Sequence, residues 1–254
     1  MTTPRWPALL LCLALAGPAL AGHGGQLEAD ELGAALDGDR AHRAAAVDFV
    51  LAEPAPRTSL EMLVAAARAV QLGRVEDAGV LYYGGEMRAR YELDAYRSEG
   101  PDPGSPAATV RQLSHQLGQA IHPATLDNPE RLEAVVGRLE DWPVRPPEGY
   151  RPAWPVQSEV LPEVADRIAG EIRETRLGVL RDYLVAVRDD VWKQALEDIR
   201  AYNGLSSDRR DTEAARERLA DAQRRIERAE ERLDVCLLSA GCRPEQPVNP
   251  GGRG

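Results

Sequence analysis

The side chains able to do chemistry are few, and their spacing fits no familiar catalytic pattern. The histidines are His23, His42, His115 and His122, and no H-E-x-x-H places two of them on one helix turn as a zinc site needs. Lys193 is the single lysine, with Asp190 three residues before it, so no S-x-x-K pair exists. There is no G-x-S-x-G nucleophile turn, no G-x-x-x-x-G-K phosphate loop and no G-x-G-x-x-G turn. His115 and His122 are seven residues apart and share a helix face. At about 10 Å separation they are too distant to share one metal ion, so a surface or capping role is expected for them. Glu86 is the carboxylate in the most suggestive setting, beside Tyr82-Tyr83 and Gly84-Gly85, with Arg88 and Arg90 close enough in sequence to neutralise it. Gly22-His23-Gly24 would offer an amine, an amide and an imidazole to Cu(II) if the chain were cut before Gly22, but nothing else in the chain is metal-like. No catalytic residue, metal or cofactor is therefore expected.

A cut before Gly22 follows from the N-terminus. Residues 1–21 read as a signal peptide: Arg5, the apolar run Ala8 to Ala16, the breaker Pro18, and Ala19-Leu20-Ala21 with small residues where signal peptidase cleaves. The run is too short for a bilayer, which needs about 20 apolar residues. Cys12 does not make a lipid-attachment site, because Leu11 stands before it where Gly, Ala or Ser is required. The expectation is a soluble protein of the periplasm or the extracellular space. The net charge of −10, from 41 acidic and 31 basic side chains, disfavours nucleic acid and anionic lipid as main partners.

An exported chain meets an oxidising compartment, so Cys236 and Cys242 are expected to pair. Six residues of continuous helix span about 9 Å, beyond the roughly 4.4–6.8 Å a disulfide tolerates between Cα atoms. The helix must end between them, and Gly241 is placed to end it. A pair of free thiols is the alternative.

The elements that would position these groups are helices. Apolar residues recur at helical spacing from about Leu27 to Leu36, and again after the cap Asp39 until Pro54 and Pro56. Thr58 and Glu61 have capping-box spacing before a third helix that ends at Leu72-Gly73. A fourth helix is expected over Val75 to Arg97. Its Gly84-Gly85 pair implies close approach by a neighbouring helix, since each glycine costs about 1 kcal/mol against alanine. After a loop over Ser98 to Pro106 come a fifth helix to Ile121 and a sixth, capped by Asp127 or Asn128 with Pro129 behind it, reaching Trp142. The six prolines between Trp142 and Pro162 predict an extended arm that packs Trp142, Tyr150 and Trp154 onto the helices. A helix over Pro162 to Tyr202, the Asn203-Gly204 turn and a last helix from Ser207 or Asp208 to about Leu238 would make a long antiparallel hairpin. In that last helix Ala215, Leu219, Ala222, Ile226, Ala229, Leu233 and Cys236 form a coiled-coil seam.

Within this pattern, Gly73, Ala78 and Tyr82 in the stretch Leu72 to Tyr82 resemble the middle of one tetratricopeptide repeat, over about residues 60–97. The resemblance implies a helix pair and a peptide-binding scaffold. No second copy near a 34-residue period is visible.

The expected architecture is all-α, a bundle of αα-hairpins with a long antiparallel helical hairpin at the C-terminus. Its divisions are 22–142 as an N-terminal helical domain, 143–162 as the arm, 163–242 as the hairpin and 243–254 as a disordered tail. The expected role is a protein-interaction or scaffold module of the bacterial envelope, or an inhibitor or immunity protein, with a protein partner. Its expected binding surface comprises Tyr82, Tyr83, Glu86, Trp142 and Trp154. The enzymatic alternative is a cell-wall glycan hydrolase using two carboxylates.

Overall fold

The structure is a computed structural model that describes residues 26–97, 105–154, 156, 158–235 and 237. The expected leader and its cleavage site, Gly22-His23-Gly24, Cys236, Cys242 and the tail lie outside the described residues. Among the described residues the fold is all-α, with ten helices and one two-residue strand pair. No helix among them is long and apolar enough to cross a membrane.

The N-terminal helices form where local signals are strongest. Helix α1 is Gln26–Asp37 and α2 is Arg40–Ala52, whose cap Asp39 accepts from the amides of Ala41 and His42. Helix α3, Ser59–Leu72, begins with a complete capping box of Thr58 and Glu61 and ends at Gly73, whose φ of 79° is the left-handed value that favours glycine. Helix α4, Val75–Ala95, follows at once. It is buried on almost every side by α3, by α5 (Pro106–Leu126), by α6 (Pro129–Leu139) and by α7 (Pro162–Val187).

The two glycines of α4 admit different neighbours. A Cβ on Gly84 would stand 2.5 Å from Trp142 Nε1 and 2.7 Å from its Cζ2, so the gap is filled by an indole from the arm rather than by a helix. On Gly85 it would meet Met62 and Leu63 of α3 at 3.2 Å, the helix approach that was expected.

Several boundaries differ from the sequence reading. Helix α4 stops at Ala95 because Tyr96–Arg97 (β1) pairs antiparallel with Ser158–Glu159 (β2) of the arm, Tyr96 opposite Glu159. Helix α5 runs through Pro123 to Leu126, since proline inside a helix removes one bond but need not end it. Helix α6 ends at Leu139, three residues short of Trp142.

The helix expected over 162–202 is two. Helix α7 stops at Val187, and α8 (Asp190–Asn203) starts at a new cap, Asp189, which accepts from Trp192 N at 2.9 Å and meets Arg232 at 2.6 Å. The last helix is likewise divided into α9 (Ser207–Arg210) and α10 (Glu213–Leu233), capped by Thr212. The antiparallel hairpin is therefore α8 against α10, shorter than expected, while α7 lies along α4 and α6.

The core follows this division. One apolar cluster runs from α1 to α7 and includes Trp142, Tyr150 and Trp154 of the arm. A second gathers Ala186, Trp192, Ala195, Ile226, Ala229 and Val235. Tyr183 touches both, and its ring meets Trp192 edge-on at 5.5 Å. Along the α10 seam Ala215, Ala222, Ile226 and Ala229 are buried, and the alanines allow close approach of α8.

Replacing Gly84 by alanine forces the Trp142 ring to move. The substitution should destabilise the fold by about 1–3 kcal/mol despite the better helix propensity. Gly170 in α7 has nothing within 4 Å of its missing Cβ, so Gly170→Ala should stabilise by roughly 0.4–1 kcal/mol. Urea midpoints of the two variants should move in opposite directions.

Candidate functional site

The residues expected to form a surface lie mostly in the interior. Tyr82 and Tyr83 are 2% and 1% exposed, and Trp142 and Trp154 are 5% exposed. They offer almost no exposed surface, because α4 is enclosed and the arm folds its indoles inward. Glu86 alone keeps some contact with solvent, its side chain 18% exposed. Tyr82, Tyr83 and Glu86 do come together, and they acquire two partners the sequence reading did not supply, His122 from α5 and Arg176 from α7.

The contacts favour one arrangement of the protons. Tyr82 Oη lies 3.0 Å from Glu86 Oε1, 3.2 Å from the Ser114 carbonyl and 3.3 Å from His122 Nε2. The carboxylate and carbonyl oxygens only accept, so the single phenolic proton goes to one of them. The tautomer that serves both phenols has His122 Nε2 as donor to Tyr82 and Nδ1 as acceptor of the Tyr83 hydroxyl at 3.0 Å. The chain closes on an ion pair, Arg176 to Glu86 Oε2 at 3.0 Å. Gly118, one turn before His122, makes the meeting possible. A Cβ there would stand 2.8 Å from Tyr82 Oη and 2.9 Å from His122 Nε2. His115, on the same helix, is exposed and among the described residues bonds to Gln119, at 3.3 Å.

Burial sets the electrostatics. It pushes both tyrosine phenols well above their ordinary pKa, with the Glu86 charge adding to the effect. It also holds the His122 imidazole below its ordinary value; Arg176 acts the same way and Glu86 opposes it. Phenols and imidazole are thus kept neutral, and the carboxylate is neutralised by the guanidinium. Among the described residues no three His, Cys, Asp or Glu side chains gather where a metal ion could sit.

A second polar cluster lies farther along α4. Arg88, fully buried, donates to four carbonyls: Arg57 at 2.6 Å, Ala55 at 3.0 Å, Pro143 at 2.7 Å and Val144 at 2.9 Å. Glu92, also fully buried, accepts from the Ser59 amide at 2.9 Å, from the Ser59 hydroxyl and from the Tyr150 hydroxyl. Burial raises the Glu92 pKa, while the Ser59 and Tyr150 bonds and the Arg88 charge pull it back. The arginine Cζ lies 5.3 Å from the centre of the Tyr150 ring. This cluster is a structural clasp that fastens the α2–α3 loop and the arm to α4.

The local signals for the two clusters were three pairs at i, i+4: Tyr82 and Glu86, Gly118 and His122, and Arg88 and Glu92. No protein-family model matches the chain, and no curated protein and no solved structure matches it.

Truncating the clasp should be severe. Arg88→Met strands four carbonyls and leaves Glu92 without its cation, at a cost of about 3–5 kcal/mol. Arg88→Lys should recover only part of this, because an ammonium cannot reproduce the planar fork. Urea unfolding followed by circular dichroism measures both.

Proposed function

We propose that this chain is an exported protein-interaction or scaffold module of the bacterial envelope, with an inhibitor or immunity protein as the narrower form of the same role. The observation that carries the reading is the outer face of α10. Glu213, Arg216, Glu217, Arg218, Arg224, Glu227, Arg228, Glu231 and Arg232 are all exposed there. They form a mixed-charge stripe over a helix about 30 Å long, backed by a small core of its own. Interspersed charges of both signs on a rigid helix favour a protein partner of complementary pattern, because such patterns select a register and reject wrong partners. The pair α3 and α4, with its resemblance to one tetratricopeptide unit, supports the scaffold role.

The enzymatic reading, a glycan hydrolase, requires two carboxylates about 5–9.5 Å apart across a substrate. The polar side chains around Glu86 are Tyr82 and Arg176, which suits an acceptor inside a structural network better than an acid–base pair.

Mature protein used as bait against an envelope fraction should retain a partner identifiable by mass spectrometry. Reversing Glu217, Arg224 and Glu231 together should cut that recovery by at least tenfold while leaving thermal stability within a few degrees. No recovered partner, together with wall-degrading activity that Glu86→Gln abolishes, would replace this reading with the hydrolase.

A further inference from the structure

Among the interior polar groups, His122 is the histidine, the side chain whose unperturbed charge change falls nearest neutral pH. Both of its ring nitrogens are engaged by phenols that have little freedom to adjust. With the imidazole neutral, Tyr83 gives its only proton to Nδ1, and Nε2–H donates to Tyr82. A second ring proton makes both nitrogens donors. Tyr83 must then accept and turn its own proton elsewhere. Its hydroxyl has no other hydrogen bond among the described residues, and the residue is 1% exposed. Protonation therefore reverses the Tyr83 bond, leaves that buried hydroxyl proton without an acceptor, and places a cation in a partly desolvated site.

The charges that act on His122 come from two other helices. Glu86 of α4 favours the cation and Arg176 of α7 opposes it, and these two already neutralise each other at 3.0 Å. Tyr82 and Tyr83 present neutral phenols, and Tyr183 of α7 acts only on Tyr83. On its own helix the nearest titratable group is His115, which is turned to Gln119.

We propose that Tyr83, His122 and Tyr82 form an acid-sensitive latch, which holds α5 on α4 while the imidazole is neutral and loosens it when the ring gains a proton. The sign follows from the fold's preference for the neutral ring. A histidine in the open chain titrates near 6.5. The latch is at full strength above about pH 6.5, weakens as pH falls below it and levels off at the lower pKa of the closed form. Between those limits the closed-to-open ratio drops by up to about tenfold per pH unit.

The test uses the full mature chain between pH 7.5 and 5. Nitrogen-15 spectra of the imidazoles should show neutral His122 as the Nε2–H tautomer, titrating below 6.5. Hydrogen-exchange protection factors of the α5 amides should fall with pH in step with that titration. His122→Gln keeps a donor and an acceptor but takes no proton, so its α5 protection should stay flat over the same range. Should that variant fail to fold, a chain with His23→Gln, His42→Gln and His115→Gln should still show the acid loss, which leaves His122 as the histidine responsible. An Nδ1–H tautomer overturns the proposal. So does a midpoint at or above 6.5, or an acid loss of α5 protection that persists in His122→Gln.

Discussion

The fold depends on a guanidinium that has no water to turn to. Helix α4 is enclosed by four others, yet Arg88 points into that interior with no exposure. An isolated buried charge costs several kcal/mol, and this one is accommodated by donating to carbonyls from two separate loops. The loops need it equally. Pro143, Pro146 and Pro147 deny the arm the amides that would build regular structure, and the carbonyls of Pro143 and Val144 find their donor in Arg88. Glu92 completes the arrangement from the next turn by taking Tyr150 and the start of α3. A proline-rich segment is thereby fixed against helices by charge-assisted bonds rather than by secondary structure.

Helix α7 extends the same device outward. Arg173 donates to the Trp142 carbonyl, Arg176 meets Glu86, Arg181 meets Glu140 and Arg188 meets Glu133. The outer two pairs are half-exposed, so each adds little to stability. The inner two reach the arm and the His122 network, where geometry counts for more than charge. The near-complete replacement of lysine by arginine suits this use, because the planar fork aligns with carbonyl and carboxylate oxygens.

What the sequence made legible was local. Asp39, the Thr58–Glu61 box, Gly73 and the Asn128-Pro129 start are readable because a cap and its amides lie within a few residues. The break at Asp189 was hidden, because Val187 and Val191 keep the apolar pattern running across it while the cap's second partner, Arg232, is 43 residues away. The candidate site was half readable. Tyr82 and Glu86 stand one turn apart, but His122 lies 39 residues from Tyr83, and no periodicity announces such a pairing. The inward packing of Trp142, Tyr150 and Trp154 was legible from the proline-rich arm, but the burial that withdraws Tyr82, Tyr83, Trp142 and Trp154 from a partner was not. Whether Trp142 faces solvent or core is decided by Gly84, on another element.

The strand pair Tyr96–Arg97 and Ser158–Glu159 is the smallest element of the fold, and it fixes the path of the chain. It brings the end of α4 beside the start of α7, with Val160 N bonded to the Ala95 carbonyl at 3.1 Å. Everything between, α5, α6 and the arm, is an excursion that leaves and re-enters at one point. A change of loop length inside that excursion leaves the bonds of the junction in place, so long as α5, α6 and the arm still reach their contacts on α4.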